Sequence, residues 1–266
     1  MSYLLRQGGN RGVNPQKVQL AVTGGMNATG QLGVREQEIL EAAGVLLLEL
    51  GYHDVNIGRI AGMLDISRAT IYQYFSSKED LLFALAAQCL ELRLNLLERA
   101  ATFKGHPRER MVAVGEAVEL ASRLYAKEMR IAEIVRTRAA AERAPAERRT
   151  RVATAQSRTL DLMMGIIREA IARRDLVMPE FASAESLCFG LWTIAIGGYA
   201  TLVGILALPD MGVGDASAAV KTNCHLLADG YGWRPLSSEW DYNAVLTRIR
   251  ETVFPEESKR AYGVTN

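Results

Sequence analysis

The chain has 266 residues, 49 % hydrophobic and 23 % charged, a composition of folded globular proteins that excludes disorder as a description of the whole. Thirty-one Lys and Arg against thirty Asp and Glu leave a net charge of +1, so no global basic field advertises a nucleic-acid partner. Three scattered cysteines, Cys89, Cys188 and Cys224, form no Cys-x-x-Cys pair, which excludes a disulfide framework and fits a reducing, cytoplasmic setting.

Residues 1–33 carry Arg6, Arg11 and Lys17, no acid and seven glycines, and read as a basic flexible arm without the apolar run of a secretory signal. From Gly33 onward apolar residues recur at three- and four-residue steps, so the chain is expected to be all-α. A first helix spans 34–50, with Gly51 as its left-handed C′ residue. Two short helices follow, one from Asn56 to about Leu64 and one over 68–74 with Ser67 as its cap; a long helix then opens at Ser77 and runs to 101. Further helices are expected from His106 to 127, then over 129–141, 145–174, 179–208, 216–229 and 238–254, where Pro255 stops the last.

Two stretches carry unusual composition. Residues 136–151 hold six arginines against Glu142 and Glu147, which reads first as a solvated helix face. Residues 187–208 hold no charge at all and are long enough to span a bilayer. Acids flank that run where Lys and Arg would be expected of a spanning helix. It also contains Gly190, Gly197, Gly198 and Gly204, so a core or subunit-interface helix is the better reading, with no membrane partner.

Catalytic and cofactor chemistry is hard to place. His53, His106 and His225 make no metal-ligand pattern, and the chain contains no Gly-x-Ser-x-Gly, phosphate loop or dinucleotide fingerprint. No enzyme activity, metal or cofactor is expected. The informative stretch is 55–82, where two short helices joined by Asp65-Ile66-Ser67 describe a helix-turn-helix. On a wheel of 100° per residue, Ile71 and Phe75 share an inward stripe, and Ala69 and Gln73 point away from it. Thr70 and Tyr72 flank them, and Arg68 stands at the N-terminal end. Gln suits an adenine edge, Arg a guanine edge, and Ala a thymine methyl in the major groove. Hydroxyls of Thr70, Tyr72 and Tyr74 and the Lys78 ammonium suit phosphates, as do the helix N-termini at Asn56 and Ser77. Against this, residues 35–82 hold four Lys or Arg and eight Asp or Glu, so binding would rest on a few placed contacts with the acids paired or facing away.

The residues Leu50-Gly51-Tyr52, Val55-Asn56, Ile60-Ala61, Ile66-Ser67, Thr70-Ile71-Tyr72, Tyr74-Phe75 and Ser77-Lys78-Glu79-Asp80-Leu81-Leu82 resemble the N-terminal domain of TetR-family transcriptional regulators. The resemblance covers about residues 35–85. It implies a three-helix DNA-binding domain over 34–84 and a larger helical domain over 85–266 for effector binding and dimerisation. The implied partners are a double-stranded, palindromic DNA operator, a second copy of the chain and a small, largely apolar effector whose binding releases a repressor from DNA. Carried over by position, the DNA-binding candidates are Asn56, Arg59, Ser67, Arg68, Ala69, Thr70, Tyr72, Gln73, Tyr74 and Lys78. Three features depart from the family pattern: Asp65 replaces the turn glycine, Asn56 replaces Thr or Ser, and Gly58 and Gly62 both sit inside the second helix.

Beyond residue 85 the resemblance implies dimerisation through helices at 182–208 and 216–229, with the glycine-rich face of the first as contact surface, and an effector pocket against the long fourth helix. Met111, Tyr125, Met129, Glu133, Met163 and Trp192 are the pocket candidates, since Met fills irregular space and re-packs around varied ligands; Arg136 is a further polar anchor. Two readings compete with a regulator: an all-α carrier or enzyme whose N-terminal motif no longer binds DNA, and a membrane-associated protein using 187–208.

Overall fold

A computed structural model describes residues 32–135, 138–203 and 213–263, and every regular element among them is a helix. The N-terminal arm, Arg136 and residues 204–208 of the uncharged run lie outside the described residues, apart from the arm's last two positions. The first four helices are α1 (Leu32–Asp54), α2 (Ile57–Leu64), α3 (Arg68–Tyr72) and α4 (Lys78–Ala101). Gly51 interrupts α1 with φ 77 and ψ 174, so its backbone is positive in φ but extended in ψ rather than left-handed helical, a region open to glycine alone.

The expected caps are present. Asn56 Oδ1 accepts from Arg59 N at 3.0 Å, Ser67 Oγ from Thr70 N at 3.0 Å, and Ser77 Oγ from Asp80 N at 3.0 Å. Asp65 adopts the left-handed conformation, φ 51 and ψ 46, and Ile66 N donates back to Ala61 O at 3.0 Å. The turn therefore closes as a Schellman motif with aspartate at the position usually given to glycine.

The larger part comprises α5 (Pro107–Leu124), α6 (Ala126–Val135), α7 (Arg138–Arg143), α8 (Ala146–Ala172), α9 (Ala184–Val203), α10 (Ala216–Gly230), α11 (Tyr242–Thr252) and α12 (Pro255–Tyr262). Several boundaries differ from the sequence reading; α9 opens at Ala184 and α11 at Tyr242, later than the expected 179 and 238. The helix after His106 stops at Leu124, and the next begins at Ala126, earlier than expected; α6 and α7 are the parts described on either side of residues 136–137, which lie outside the described residues. Pro255 does not end the chain's helices: it opens α12 at the first position, where its missing N–H loses nothing.

Two apolar clusters meet along α4. The first packs Ile39, Leu47, Ile60, Ile71 and Phe75 against Leu81, Leu85 and Leu90, and also takes Ile131 and Val135 of α6 and Val152 of α8. The second gathers Leu97, Ala117, Leu120, Ile167, Leu187, Trp233 and Phe254. The helix-turn-helix is thereby packed on the same surface that α6 and α8 share. Arginines of α8 pair with acids of α4 as Arg148–Asp80 at 2.7 Å, Arg151–Glu91 at 2.8 Å and Arg158–Glu98. Most of the described part of the basic stretch is thus engaged within the chain, since Arg149 also donates to Ala144 O at 2.8 Å.

No helix among the described residues is long and apolar enough to cross a membrane. Two glycines of α9, Gly190 and Gly198, face α10 of the same chain, whereas Gly197 is exposed with open space beside it. A Cβ at Gly198 would lie 2.2 Å from Val220 Cγ2, and one at Gly190 would lie 2.8 Å from Leu227 Cδ2. They let α10 approach α9 closely. The exposed face of α9 and α10 also carries Phe189, 69 % exposed, and Leu226, 62 % exposed.

Candidate nucleic-acid interface and interior cavity

The short α3 is held by two side chains. Ile71 and Phe75 are fully buried, and Ile66 packs against the same cluster just before the helix. Four apart, Ile71 and Phe75 leave the opposite face of the helix to solvent. That face presents Ala69, Tyr72 and Gln73, all exposed, with Ser67 and Arg68 exposed at its start. Asn56 and Arg59 are exposed at the beginning of α2, whereas Thr70, Tyr74 and Lys78 are half-buried. The structure therefore brings all ten nucleic-acid candidates to one end of the molecule around α2, α3 and the start of α4.

Three of them are partly engaged already. The Thr70 hydroxyl lies 2.9 Å from Ser67 Oγ, and Tyr74 packs on the first apolar cluster. Lys78 Nζ donates to the Tyr52 carbonyl oxygen and sits 4.4 Å from the centre of the Tyr52 ring. Burial lowers the Lys78 ammonium from its usual value. Tyr52 in turn donates to Glu79 Oε1 at 3.0 Å, and burial together with that carboxylate pushes the phenol up to about 12. Lys78 thus ties the last turn of α1, beyond Gly51, to the start of α4.

Gly58 lies beneath the exposed Arg68 side chain. A Cβ there would lie 2.6 Å from Arg68 Nη2, so the guanidinium rests across the first turn of α2. The acids of this region are in part neutralised: Glu38 pairs with Arg35 at 2.7 Å, and Asp80 pairs with Arg148.

A cavity of about 270 Å³ lies in the second cluster, walled by α5, α8, α9, α10, the Trp233 loop and α11. Met111, Met163 and Trp192 line it as expected from the sequence. Tyr125, Met129 and Glu133 do not. Met129 is buried in the second cluster, Tyr125 packs at its edge with the Arg260 guanidinium 6.0 Å from its ring, and Glu133 is exposed on α6. No residue of α4 lines this cavity, contrary to the placement expected of the pocket.

Its polar wall was missed by sequence reasoning. Glu116 lines the cavity, Glu119 stands one turn further along α5, and each is 1 % exposed. Arg250 Nε pairs with Glu116 at 2.7 Å, Tyr262 donates to Glu116 at 2.8 Å, and Lys221 Nζ reaches Glu119 and, at 3.4 Å, Glu116. Arg123 Nε at 2.7 Å, Ser217 Oγ at 2.6 Å and the Tyr199 hydroxyl at 3.4 Å also donate to Glu119. Burial pushes the Glu119 carboxyl up, but Lys221, Ser217 and Arg123 outweigh it and hold it at about 2. The signal was legible as two acids three apart in the otherwise apolar run 113–121. At the other end of the cavity Arg108, 2 % exposed, donates to the carbonyls of Trp233, Pro235 (2.8 Å) and His225 (3.3 Å), and pairs with Asp229 at 2.6 Å. Burial, aided by Arg108, lowers the His225 imidazole from its usual value. Among the described residues no group of three or more His, Cys, Asp or Glu is placed to hold a metal ion.

Comparison with known proteins fits this geometry. Residues 39–85 match the model for bacterial regulatory proteins of the tetR family. Over 77 residues the chain is 35 % identical to the HTH-type transcriptional regulator HbdR of Aromatoleum sp. (strain CIB), a match covering 29 % of this chain and 34 % of that one. The chain spans about a third of the length of the curated relatives it matches. Among solved structures, the TetR family transcriptional regulator PfmR from Thermus thermophilus superposes with a TM-score of 0.56 at 18 % identity, covering 71 % of this chain and 96 % of that one. FadR from Bacillus subtilis in complex with stearoyl-CoA also gives 0.56, at 20 % identity, covering 73 % and 98 %. These likenesses extend the shared fold over the helices beyond residue 85.

Proposed function

Because residues 39–85 match the model for bacterial regulatory proteins of the tetR family, we propose that the chain belongs to that family and is a ligand-responsive transcriptional repressor that binds a palindromic operator as a homodimer. The observation that carries the reading is the split of α3 and the turn that continues it, with Ile71 and Phe75 fully buried and Ala69, Tyr72 and Gln73 exposed on the opposite side. A helix held from behind and bare in front can enter a major groove, where Gln73, Arg68 and Ala69 meet base edges. Asn56, Arg59, Ser67, Thr70, Tyr72, Tyr74 and Lys78 then serve the flanking phosphates, together with the N-termini of α2 and α4.

Dimerisation is assigned to the outer face of α9 and α10, where Phe189 and Leu226 are exposed large apolar side chains. Release from DNA is assigned to the interior cavity. Since α4 does not line it, the signal travels through α5 and α8, both packed along α4, with Arg110 of α5 paired to Glu169 of α8. A coupling of about 1–3 kcal/mol between cavity and recognition helices suffices for such a switch.

Selection of bound fragments from a random double-stranded DNA pool tests the reading. Enrichment of a palindrome whose half-sites are about one helical turn apart is the expected outcome. A pool that stays unenriched at low salt would favour a carrier with a silent N-terminal motif.

A further inference from the structure

We infer that the interior cavity takes a molecule with an apolar body and a carboxylate end, the carboxylate lying at the mouth between α10 and α11, where Thr222, His225 and Asn243 donate to it. The inference deepens the effector half of the proposed function and rests on that reading only in treating the cavity as a ligand site. The wall changes character from one side to the other. Its exposed residues are Ala218 and Thr222 of α10 and Asn243 of α11, so the mouth lies between those two helices. On the side of α5, α8 and α9 the wall includes Val114, Val118, Met163, Leu191 and Ala195, all buried and apolar. The carboxylate of Glu116 on that side is already held by Arg250, Lys221 and Tyr262. Burial of apolar surface there draws in the body of a ligand and leaves its polar end to the mouth.

The polar groups left over by the fold gather at that mouth. Thr222, His225 and Asn243 all line the cavity, and no hydrogen bond among the described residues engages their side chains. Thr222 and His225 stand three apart on α10 and so share a face. The His225 ring lies 4.6 Å from the ring of Tyr242, the chain neighbour of Asn243, which brings the two helices together at this point. Hydroxyl, imidazole and amide each have a hydrogen bond to donate. The charges acting on His225 are Arg108 and Lys221 against Asp229, two cations to one anion. Burial, Arg108 and Lys221 lower the imidazole from its usual value, so at neutral pH it is an uncharged ring with one N–H to give. A carboxylate in that field is stabilised where an ammonium is repelled, and its charge makes each accepted hydrogen bond roughly twice as strong as a neutral one. At about 270 Å³ the cavity has room for a short chain or a single ring below the mouth.

Calorimetric titration of the full chain at neutral pH, without DNA, with octanoate, 2-octanone and octylamine tests the assignment. The three probes share an apolar chain and differ in the charge of the end. Octanoate should bind saturably and more tightly than 2-octanone, with octylamine at least roughly tenfold weaker than octanoate. Thr222→Val and Asn243→Leu change exposed side chains that the fold does not use, and each should weaken octanoate by roughly two- to tenfold. No saturable uptake of octanoate, binding of 2-octanone or octylamine as tight as that of octanoate, or an unchanged octanoate affinity in either variant would each overturn the inference. Because DNA is absent from every titration, a failure to enrich an operator would sink the regulator reading and leave this result standing.

Discussion

Arg148 Nε donates to Asp80 Oδ1 at 2.7 Å and so ties the start of α8 to the start of α4, 68 residues earlier. Asp80 also accepts from Ser76 N at 2.8 Å and Ser76 Oγ at 2.9 Å, so one carboxylate fixes the loop after α3 and the helix that follows it. Burial raises the Asp80 carboxyl, but Arg148 and Ser76 outweigh it and hold it below the usual carboxylate range. The pair is a short polar link between the helix-turn-helix and α8, one of the helices that wall the cavity.

Asp80→Asn should therefore cost about 2 kcal/mol of stability, and Arg148→Met about 1–2 kcal/mol, in urea denaturation. The double variant should fall short of the sum by about 1 kcal/mol or more. Strict additivity would show that the two side chains do not act as a unit.

Gln73 and Lys78 should separate in their effects on DNA. Gln73 is exposed, so Gln73→Ala should relax base preference at one position of the enriched palindrome, by about 1–3 kcal/mol, with a nearly unchanged melting transition. Lys78→Ala should weaken all sequences alike and reduce the salt slope by about one. It should also lower stability by about 1 kcal/mol, because Lys78 Nζ holds the Tyr52 carbonyl and ring. Salt-dependent binding to matched and mismatched duplexes, with melting of the free proteins, measures both. The same loss of specificity from the two variants would refute the division of the surface.

Asn56, Ser67 and Ser77 could be recognised as caps because a side-chain acceptor before an apolar run is a local signal, complete within four residues. The two sides of α3 were readable for a similar reason: a single pair, Ile71 and Phe75, decides which face turns inward. The cavity was not. Met129 and Met163 are alike in sequence, yet one is packed solid and the other lines open space, a difference set by helices distant in the chain. Pro255 misled because a missing N–H both ends one helix and suits the first position of the next.

Glu119 should shape the acid limb of stability. Its folded value of about 2 lies below the usual 4.5, so the carboxylate stabilises the fold fully above about pH 4.5, and this contribution is lost as pH falls toward 2. The shift corresponds to about 3 kcal/mol at neutral pH. Glu119→Gln should remove most of that and flatten the fall in melting temperature between about pH 4.5 and 2. A variant whose acid limb matches that of the unaltered protein would show that Lys221 and Arg123 do not depend on this charge.

The packing of α9 on α10 gives the last test. Gly198 approaches Val220 so closely that an added Cβ would overlap its Cγ2 at 2.2 Å, and the valine branch is too short to swing clear. Gly198→Ala should destabilise the chain by about 1–3 kcal/mol, even though alanine is the better helix former by about 1 kcal/mol. Val220→Ala removes the obstructing methyls, so the double variant should recover much of the loss despite the smaller side chain. If the exposed face of α9 and α10 is the subunit contact, the single variant should also shift the dimer toward monomer by splaying the two helices, and the double variant should restore it. Light scattering across a dilution series, with urea denaturation at each step, separates the two effects. A stable Gly198→Ala protein with unaltered association would mean that α9 and α10 do not rely on close approach at this position.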